Sequence, residues 1–490
     1  MADTTPRLPR HPFDIDDDKL KEECGIFGAT GVADAATFVA LGLHALQHRG
    51  QEAGGIVSFD PPTGFNSVRR FGYVRDNFTD DAVMSQLPGQ IAMGHVRYST
   101  AGSKGAAIRD VQPLFAEFAM GGCAIAHNGN LTNAIALRES LIERGSIFQS
   151  SADTECIIHL MARSMQRSIP ERLKDALRLV EGAFSVIAMT RTKLIGVRDP
   201  RGVRPLMLGR IGEHGWVLAS ETCAFDIIGA DFVREIEPGE MVICTRDGIE
   251  SSRPFEPMQP KFCVFEFVYF SRPDSVIAGQ SVYETRRQIG VELAREAPQE
   301  ADLVCPVPDS GTPAAIGFSQ ESGIPYAMGI IRNQYMGRTF IEPTDHIRNM
   351  GVRLKLNVNR ALIRGKRVIL VDDSVVRGTT SRKIKEMILD AGAKEVHFRI
   401  ASPPTEWPCF YGVDTPDREK LLAAQMSEEE MRGYLGVDSL RFISLDGLYR
   451  ACGEKKRAKE AQFCDACFSG DYPVRPTDQI ASGRLAPAPA

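Results

Sequence analysis

The sequence predicts two folded units in one chain, the second an α/β domain built on a parallel sheet. Three observations carry that expectation. At 490 residues the chain exceeds one ordinary core, so two or three domains are expected. Residues 368–371, VILV, form an apolar and mostly β-branched run, the pattern of a parallel strand buried on both faces. Asp372 and Asp373 stand where that strand ends, a short turn with Gly378, Thr379 and Thr380 follows, and residues 381–389 then read as a helix.

This order of strand, acidic turn and helix outlines a ligand site. Open α/β sheets bind ligands beyond the carboxyl ends of their strands, and the first N–H groups of the next helix suit an anion. Threonine hydroxyls add hydrogen bonds to phosphate, while paired carboxylates can hold ribose hydroxyls or a Mg2+ ion. A sugar phosphate meets all of these groups. A buried strand followed by a capped helix would explain the periodicity but not two consecutive aspartates.

The run 368–380 resembles the phosphoribosylpyrophosphate (PRPP) motif of the type I phosphoribosyltransferases. The resemblance implies that Asp372 and Asp373 meet the ribose hydroxyls and the metal. It places Ser374, Val375 and Val376 in the same PRPP-binding turn and wraps Arg377, Gly378, Thr379 and Thr380 around the 5-phosphate. CPVPDSG, residues 305–311, also follows a strand-like run and is similar to the family's pyrophosphate loop. That assigns Asp309, Ser310 and Gly311 to PRPP, with Ser310 near the metal; alone, Pro-Asp-Ser-Gly is ordinary turn chemistry. Between the loops, residues 330–357 carry Arg332, Arg338, Arg348, Arg353 and Lys355 among Gly, Pro and Asn. This is the composition of a mobile basic lid that closes over pyrophosphate, with Arg332 and Arg338 as PRPP contacts.

Composition narrows the class. Hydrophobic content of 43% and charged content of 25% are those of a soluble globular protein. A net charge of −5 gives no nucleic-acid footprint, which is normally basic. No stretch approaches the roughly eighteen apolar residues of a spanning helix. Residues 1–23 lack the apolar core of a secretory signal. Eleven cysteines are scattered along the chain, which favours reduced thiols with ligand or catalytic roles over a disulfide framework. A cytoplasmic enzyme that binds neither nucleic acid nor membrane is expected.

Residues 1–23 are polar and acidic, the composition of a disordered tail, and CGIFGAT beginning at Cys24 is abruptly apolar. Such a change marks a processing point. Cutting the Glu23–Cys24 bond would put a thiol and a free α-amine on one residue. That amine titrates at roughly 7.7–8.0, which suits it as base for its own nucleophile. A cysteine in this setting is otherwise a small buried hydrophobe. Three later segments favour catalysis. GHVRYSTAG, residues 94–102, offers Arg97, a fork-shaped donor for a carboxylate. HNGNL, residues 127–131, is expected to put Asn128 and Gly129 in a tight turn, where amide and N–H can stabilise an oxyanion. SSADTE, residues 150–155, supplies Asp153, which is either a helix N-cap or a partner for a substrate ammonium. An amino acid substrate needs these three kinds of group.

Cys24, LQHRGQE (residues 46–52), GHVRYSTAG and HNGNL together resemble the class II, N-terminal-nucleophile glutamine amidotransferases. The resemblance spans roughly residues 24–250 and implies an α+β fold, an αββα sandwich of two antiparallel sheets between helix layers. It implies that Cys24 attacks the side-chain amide of glutamine, forms a glutamyl thioester and releases ammonia. Asn128 and Gly129 would then form the oxyanion hole. Arg97, Asp153 and Arg49 would bind glutamine, Arg49 from a loop that closes over it. The expected organisation is a propeptide at 1–23, a glutaminase domain at 24–255, and a phosphoribosyltransferase domain with C-terminal helices at 256–470. A disordered tail at 471–490 completes it.

As a whole the chain is similar to the glutamine PRPP amidotransferases. The resemblance implies that PRPP, glutamine and water give 5-phosphoribosylamine, glutamate and pyrophosphate, the committed step of purine synthesis. Ammonia would pass through an internal channel, with Tyr283 near it. Inhibitory purine nucleotides and a homotetramer or homodimer are further family expectations. A non-catalytic nucleotide-sensing scaffold would be expected to lose Cys24 or the paired carboxylates, and another glutamine-dependent enzyme would carry another acceptor motif.

Cys464 and Cys467 in FCDACF have the spacing of a metal-binding pair. Cys263 in KFCVFEFVYF and Cys409 in EWPCFYG stand in aromatic surroundings. Four thiolates suit zinc or an iron–sulfur cluster, and spacing does not separate the two. The resemblance implies a [4Fe–4S] cluster on all four, as in the propeptide-bearing branch of the family. Cys156 and Cys305 read as core residues.

Overall fold

The computed structural model describes residues 21–22, 24–98, 107–333 and 355–483. Its first half is a four-layer sandwich. One antiparallel sheet has seven strands, in the order Asp231–Glu235, Met207–Ile211, Gly215–Ala219, Cys24–Thr30, Ile91–Arg97, Ala53–Asp60, Gly64–Phe71. The other has six, in the order Gly248–Ser252, Met241–Thr245, Leu194–Arg198, Gly182–Met189, Gly121–Leu131, Leu114–Phe118. Ile26, Val57, Met93, Ala126, Ile187, Leu194 and Leu218 fill the space between them. Helix Ala35–Ala45 covers the outer face of the first sheet through Val39 and Leu43 against Phe27 and Val96. Helices Thr154–Arg163 and Ile169–Leu177 cover the second, Ile157 and Leu173 meeting Phe184 and Val197. Strand Cys24–Thr30 is therefore buried along its whole length. This is why its sequence runs apolar without alternation, and each such large side chain contributes roughly 1.5–3 kcal/mol by burial.

The second half carries the expected parallel sheet, Leu303–Pro306, Arg367–Asp372, Glu395–Ile400 and Ser439–Phe442 in that spatial order. Helices Thr379–Asp390 and Glu428–Leu435 pack on one face through Ile384, Ile388, Met431 and Leu435. Helices Val282–Glu296 and Thr312–Ser322 pack on the other through Ile289, Leu293, Ala315 and Phe318. One continuous hydrophobic cluster joins the halves, with Leu46 and Phe225 beside Phe265, Phe267 and Phe270.

The expected disordered tail is corrected over its described part. Residues 471–483 are ordered and include helix Thr477–Ala481. Asp478 accepts from the N–H groups of Ile135 and Ala136 at 2.8 and 3.2 Å. It thereby caps helix Ala134–Glu143, whose own Asn133 makes no side-chain cap bond. Uncapped helix N–H groups favour such a carboxylate, and Pro/Ala-rich composition alone does not reveal the partner. Residues 484–490 lie outside the described residues, as do 1–20, Glu23, Arg338, Arg348 and Arg353.

Candidate active sites

Strand pairing assembles the first site. Cys24 and Arg97 are register partners on adjacent strands, both less than a tenth exposed. Asn128 lies on Gly121–Leu131 in the facing sheet and is fully buried. Neither its Oδ1 nor its Nδ2 has a hydrogen-bond partner among the described residues, and Arg97 Nη1 is likewise unpartnered. A buried polar group left in this state costs about 1–3 kcal/mol. The fold thus holds an amide and a guanidinium ready for a ligand at the end of the cysteine strand.

Asp153 occupies the N-cap position of helix Thr154–Arg163 without capping it. Its carboxylate instead accepts from Leu131 N–H at 3.0 Å and lies 3.6 Å from His127 Nδ1. Burial would raise its pKa, but His127 and the Leu131 N–H outweigh burial and hold it below the usual carboxylate range. Asp153 is therefore an anion with a 21% exposed side chain, fit to meet an ammonium. His95, two residues before Arg97, is fully buried, and among the described residues its ring nitrogens make no well-formed hydrogen bond, only a weak approach to the His127 backbone. Burial, Arg97 and His127 push its pKa down to about 3, so it is neutral at neutral pH.

Two expectations are corrected here. Asn128 and Gly129 are not in a tight turn but inside the long strand Gly121–Leu131, paired with Ser185 and Phe184. The Asn-Gly signal marks instead a strand position at φ +136, where a Cβ would meet Ala183 O at 2.0 Å. Arg49 does not belong to a loop over the site. It ends the short helix Gln47–Arg49, is fully buried, and pairs with Glu221 and with Glu266 Oε2, the latter at 2.7 Å. Arg204 joins the same Glu266 at 3.1 Å. These buried charges tie the first half to the second. Burial would raise Glu221, yet Arg49 and His48 hold it well below the carboxylate range. Removing one member of such a network typically costs about 3–5 kcal/mol. Sequence reading missed Glu266, although a lone glutamate inside the aromatic run VFEFVYF is the signal of a buried, paired charge.

The second site is built from two loops at the carboxyl ends of adjacent parallel strands. Ser310, after Leu303–Pro306, donates from Oγ to Asp373 Oδ1 at 2.7 Å. Ser374 donates to Asp373 Oδ2 at 2.9 Å, and Asp373 N–H to Asp372 Oδ1 at 3.0 Å. Both aspartates are almost fully buried. Val375 and Val376 are buried beneath the turn, and Gly378 begins helix Thr379–Asp390 with φ +76, aiming the helix N-terminus at the loop. Gly311 packs so closely on the neighbouring strand that a Cβ would lie 2.3 Å from Val371 O. Arg332 Nη1 reaches Asp309 Oδ2 at 2.7 Å. It stands on the two-stranded base formed by Ile330–Arg332 and Leu356–Val358, while the body of the expected lid falls outside the described residues. Tyr283 opens helix Val282–Glu296 and donates its N–H to Pro273 O. Nearby, Ser275 reaches Glu221 of the first half at 2.7 Å.

The four cysteines lie in one region. Cys263 and Cys464 are register partners in a parallel strand pair. The N–H groups of Glu406 and Trp407 donate to Cys467 O, which brings the Cys409 segment beside Cys467. Tyr411 N–H donates to Cys409 Sγ at 3.3 Å. Burial first, then Cys263 and Cys409, raises the Cys464 and Cys467 thiols well above their ordinary value. Among the described residues no group of three or more His, Cys, Asp or Glu side chains is preformed to hold a metal ion. Cys156 and Cys305 are fully buried core residues.

The fold and its two sites define a glutamine amidotransferase joined to a phosphoribosyltransferase domain. A family model described as a glutamine amidotransferase domain matches residues 96–226. The chain is 55% identical to the amidophosphoribosyltransferase of Rhizobium etli over 480 residues, 96% of each protein. The solved PRPP amidotransferase of B. subtilis, in complex with ADP and GMP, superposes with a TM-score of 0.86 at 45% identity, covering 92% of this chain and 98% of that one. A structure described as the allosteric regulatory enzyme of purine biosynthesis gives 0.87 at 46% identity, over 92% of this chain and 96% of that one. The chain belongs to the amidophosphoribosyltransferase family.

Proposed function

We propose that this chain makes 5-phosphoribosylamine from PRPP and glutamine, releasing glutamate and pyrophosphate. The observation that carries the reading is the unpartnered Asn128 amide facing the strand of Cys24, in a chain whose other half joins Ser310 to Asp373. Arg97 takes the glutamine carboxylate and Asp153 its ammonium. With the Glu23–Cys24 bond cut, the Cys24 α-amine accepts the thiol proton and Sγ attacks the amide carbon. The Asn128 amide and Gly129 N–H receive the oxyanion, ammonia leaves, and water frees glutamate from the thioester. In the second half Asp372 and Asp373 hold the ribose hydroxyls and Arg377 to Thr380 the 5-phosphate. Asp309 to Gly311, with Arg332 and Arg338, hold the pyrophosphate while ammonia attacks C1.

The carboxylates of Asp372 and Asp373 with the Ser310 hydroxyl are the hard oxygen donors that Mg2+ prefers. Bound there, it would neutralise charge on the departing pyrophosphate. Cys263, Cys409, Cys464 and Cys467 suit a [4Fe–4S] cluster, and the Tyr411 N–H bond to sulfur is of the kind that stabilises cluster thiolates. Held by these four cysteines, the cluster would tie the C-terminal segments to the core. Purine nucleotides act as inhibitors, on the likeness to the ADP- and GMP-bound enzyme. A cytoplasmic homotetramer or homodimer completes the reading. No described helix is long and apolar enough to cross a membrane.

The test is Cys24→Ala assayed with both nitrogen sources. Glutamine-dependent synthesis is expected to vanish while ammonia-dependent synthesis remains; equal loss of both overturns the assignment of separate sites. Intact mass with iron and sulfide counts on anaerobically purified protein is expected to give a chain starting at Cys24 with about four of each. Zinc or no metal would defeat the cluster, and a retained leader would defeat the processing.

A further inference from the structure

Residues 409–414 belong to the second half yet lie on the first. Asn130, the residue after Gly129, donates from Nδ2 to Phe410 O at 2.9 Å. The buried Arg204 donates from Nε to Tyr411 O at 3.0 Å. In the uncut chain Val413 and Asp414 also pair antiparallel with Glu22 and Lys21, a pairing that cutting the Glu23–Cys24 bond would remove. Just beyond the Asn130 and Arg204 tethers, which survive that cut, Gly412 comes against Gly129. A Cβ placed on Gly412 would lie 2.9 Å from Gly129 Cα and 3.0 Å from its carbonyl carbon. Its φ of +103 is also one that glycine alone adopts readily. Two glycine backbones from different halves thus meet with no side chain between them.

We propose that Gly412 is a positioning residue of the glutamine site, a second-half glycine that lies against Gly129 Cα and its carbonyl and so holds the backbone that carries the Gly129 N–H. The proposal rests on the reading of Gly129 as an oxyanion donor. Oxyanion donors act at about 2.7–3.1 Å, so a shift of a few tenths of an ångström at Gly129 weakens catalysis without moving Arg97 or Asp153. The glutaminase site is then complete only when the second half is seated on it.

The test compares Gly412→Ala with Gly248→Ala, a control at φ +138 whose Cβ would meet nothing within 4 Å. Gly412→Ala is expected to lower kcat for glutamine hydrolysis about 10–100-fold, part of what losing an oxyanion donor costs, with KM changed by less than about threefold. Its ammonia-dependent synthesis should match wild type, and Gly248→Ala should match wild type in both assays. A hydrolysis kcat within about twofold of wild type, or equal loss with ammonia, overturns the proposal. Should Gly412→Ala fail to fold, Asn130→Ala frees the Phe410 carbonyl without adding bulk. It is expected to show a smaller loss of the same kcat-selective kind, and an unchanged kcat there overturns the proposal. Cys24→Ala run alongside separates the two levels. Hydrolysis surviving in Cys24→Ala defeats the nucleophile assignment, whereas an inert Gly412→Ala beside an inactive Cys24→Ala defeats the positioning role alone.

Discussion

The two sites solve the problem of burying polar groups in opposite ways. In the first half, Asn128 and Arg97 Nη1 sit inside packed strands with hydrogen-bonding capacity unused. In the second half, Asp373 is just as buried, but Ser310 and Ser374 each occupy one of its oxygens. The first site is a rigid mould whose unmet groups define its ligand. The second is a pair of loops whose side chains satisfy each other. A site of the first kind stabilises a transient charge without reorganising. One of the second kind must give up internal bonds before its carboxylate oxygens can meet anything else.

Breaking the satisfied site should have the largest effect. Asp373→Ala removes the acceptor that joins both loops, and synthesis is expected to fall beyond detection with glutamine and with ammonia alike. Retained PRPP turnover would sink the role given to Asp373. Next comes the mould. Asn128→Ala should cut kcat for glutamine hydrolysis about 100- to 1,000-fold, the cost of one oxyanion donor, with KM nearly unchanged. Loss appearing only in KM would make Asn128 a ground-state contact instead.

The same contrast explains what the sequence made legible. The second site lies on two contiguous segments, because a parallel strand, its loop and the next helix are consecutive in the chain. Residues 368–380 therefore read directly as strand, acidic turn and helix. The first site draws Cys24, Arg97, Asn128 and Asp153 from four separated segments, and only their types could be listed in advance. Their arrangement depends on strand register. The Asn-Gly pair shows the limit, since a dipeptide typical of turns was overridden by an eleven-residue strand packed on both sides. Arg49 escapes a local pattern for a related reason: its partners Glu221 and Glu266 lie 172 and 217 residues away. Gly412 gave no sequence signal, because its role is a missing side chain facing another half of the molecule.

The smallest expected effect tests the mould through stability rather than rate. His95 is buried beside Arg97 with no well-formed hydrogen bond to its ring among the described residues, and burial, Arg97 and the His127 charge push its pKa from 6.5 down to about 3, against an opposing pull from the His127 backbone. Below pH 6.5 the unfolded chain takes up a proton that the folded chain refuses, so stability falls as pH drops from about 6.5 towards 3. At about 1.4 kcal/mol per pH unit, this group alone should remove about 2 kcal/mol between pH 8 and pH 5. Glu221 acts in a lower window, because its depressed pKa contributes stability that is lost only as pH falls below its unperturbed 4.5. Urea unfolding of wild type and His95→Gln at pH 8 and pH 5 isolates the histidine, and the variant should lose about 2 kcal/mol less on acidification. Identical losses would mean that His95 is protonated inside the fold. In that case the interior beside Arg97 already satisfies charge, and the first site is closer in kind to the second than its geometry indicates.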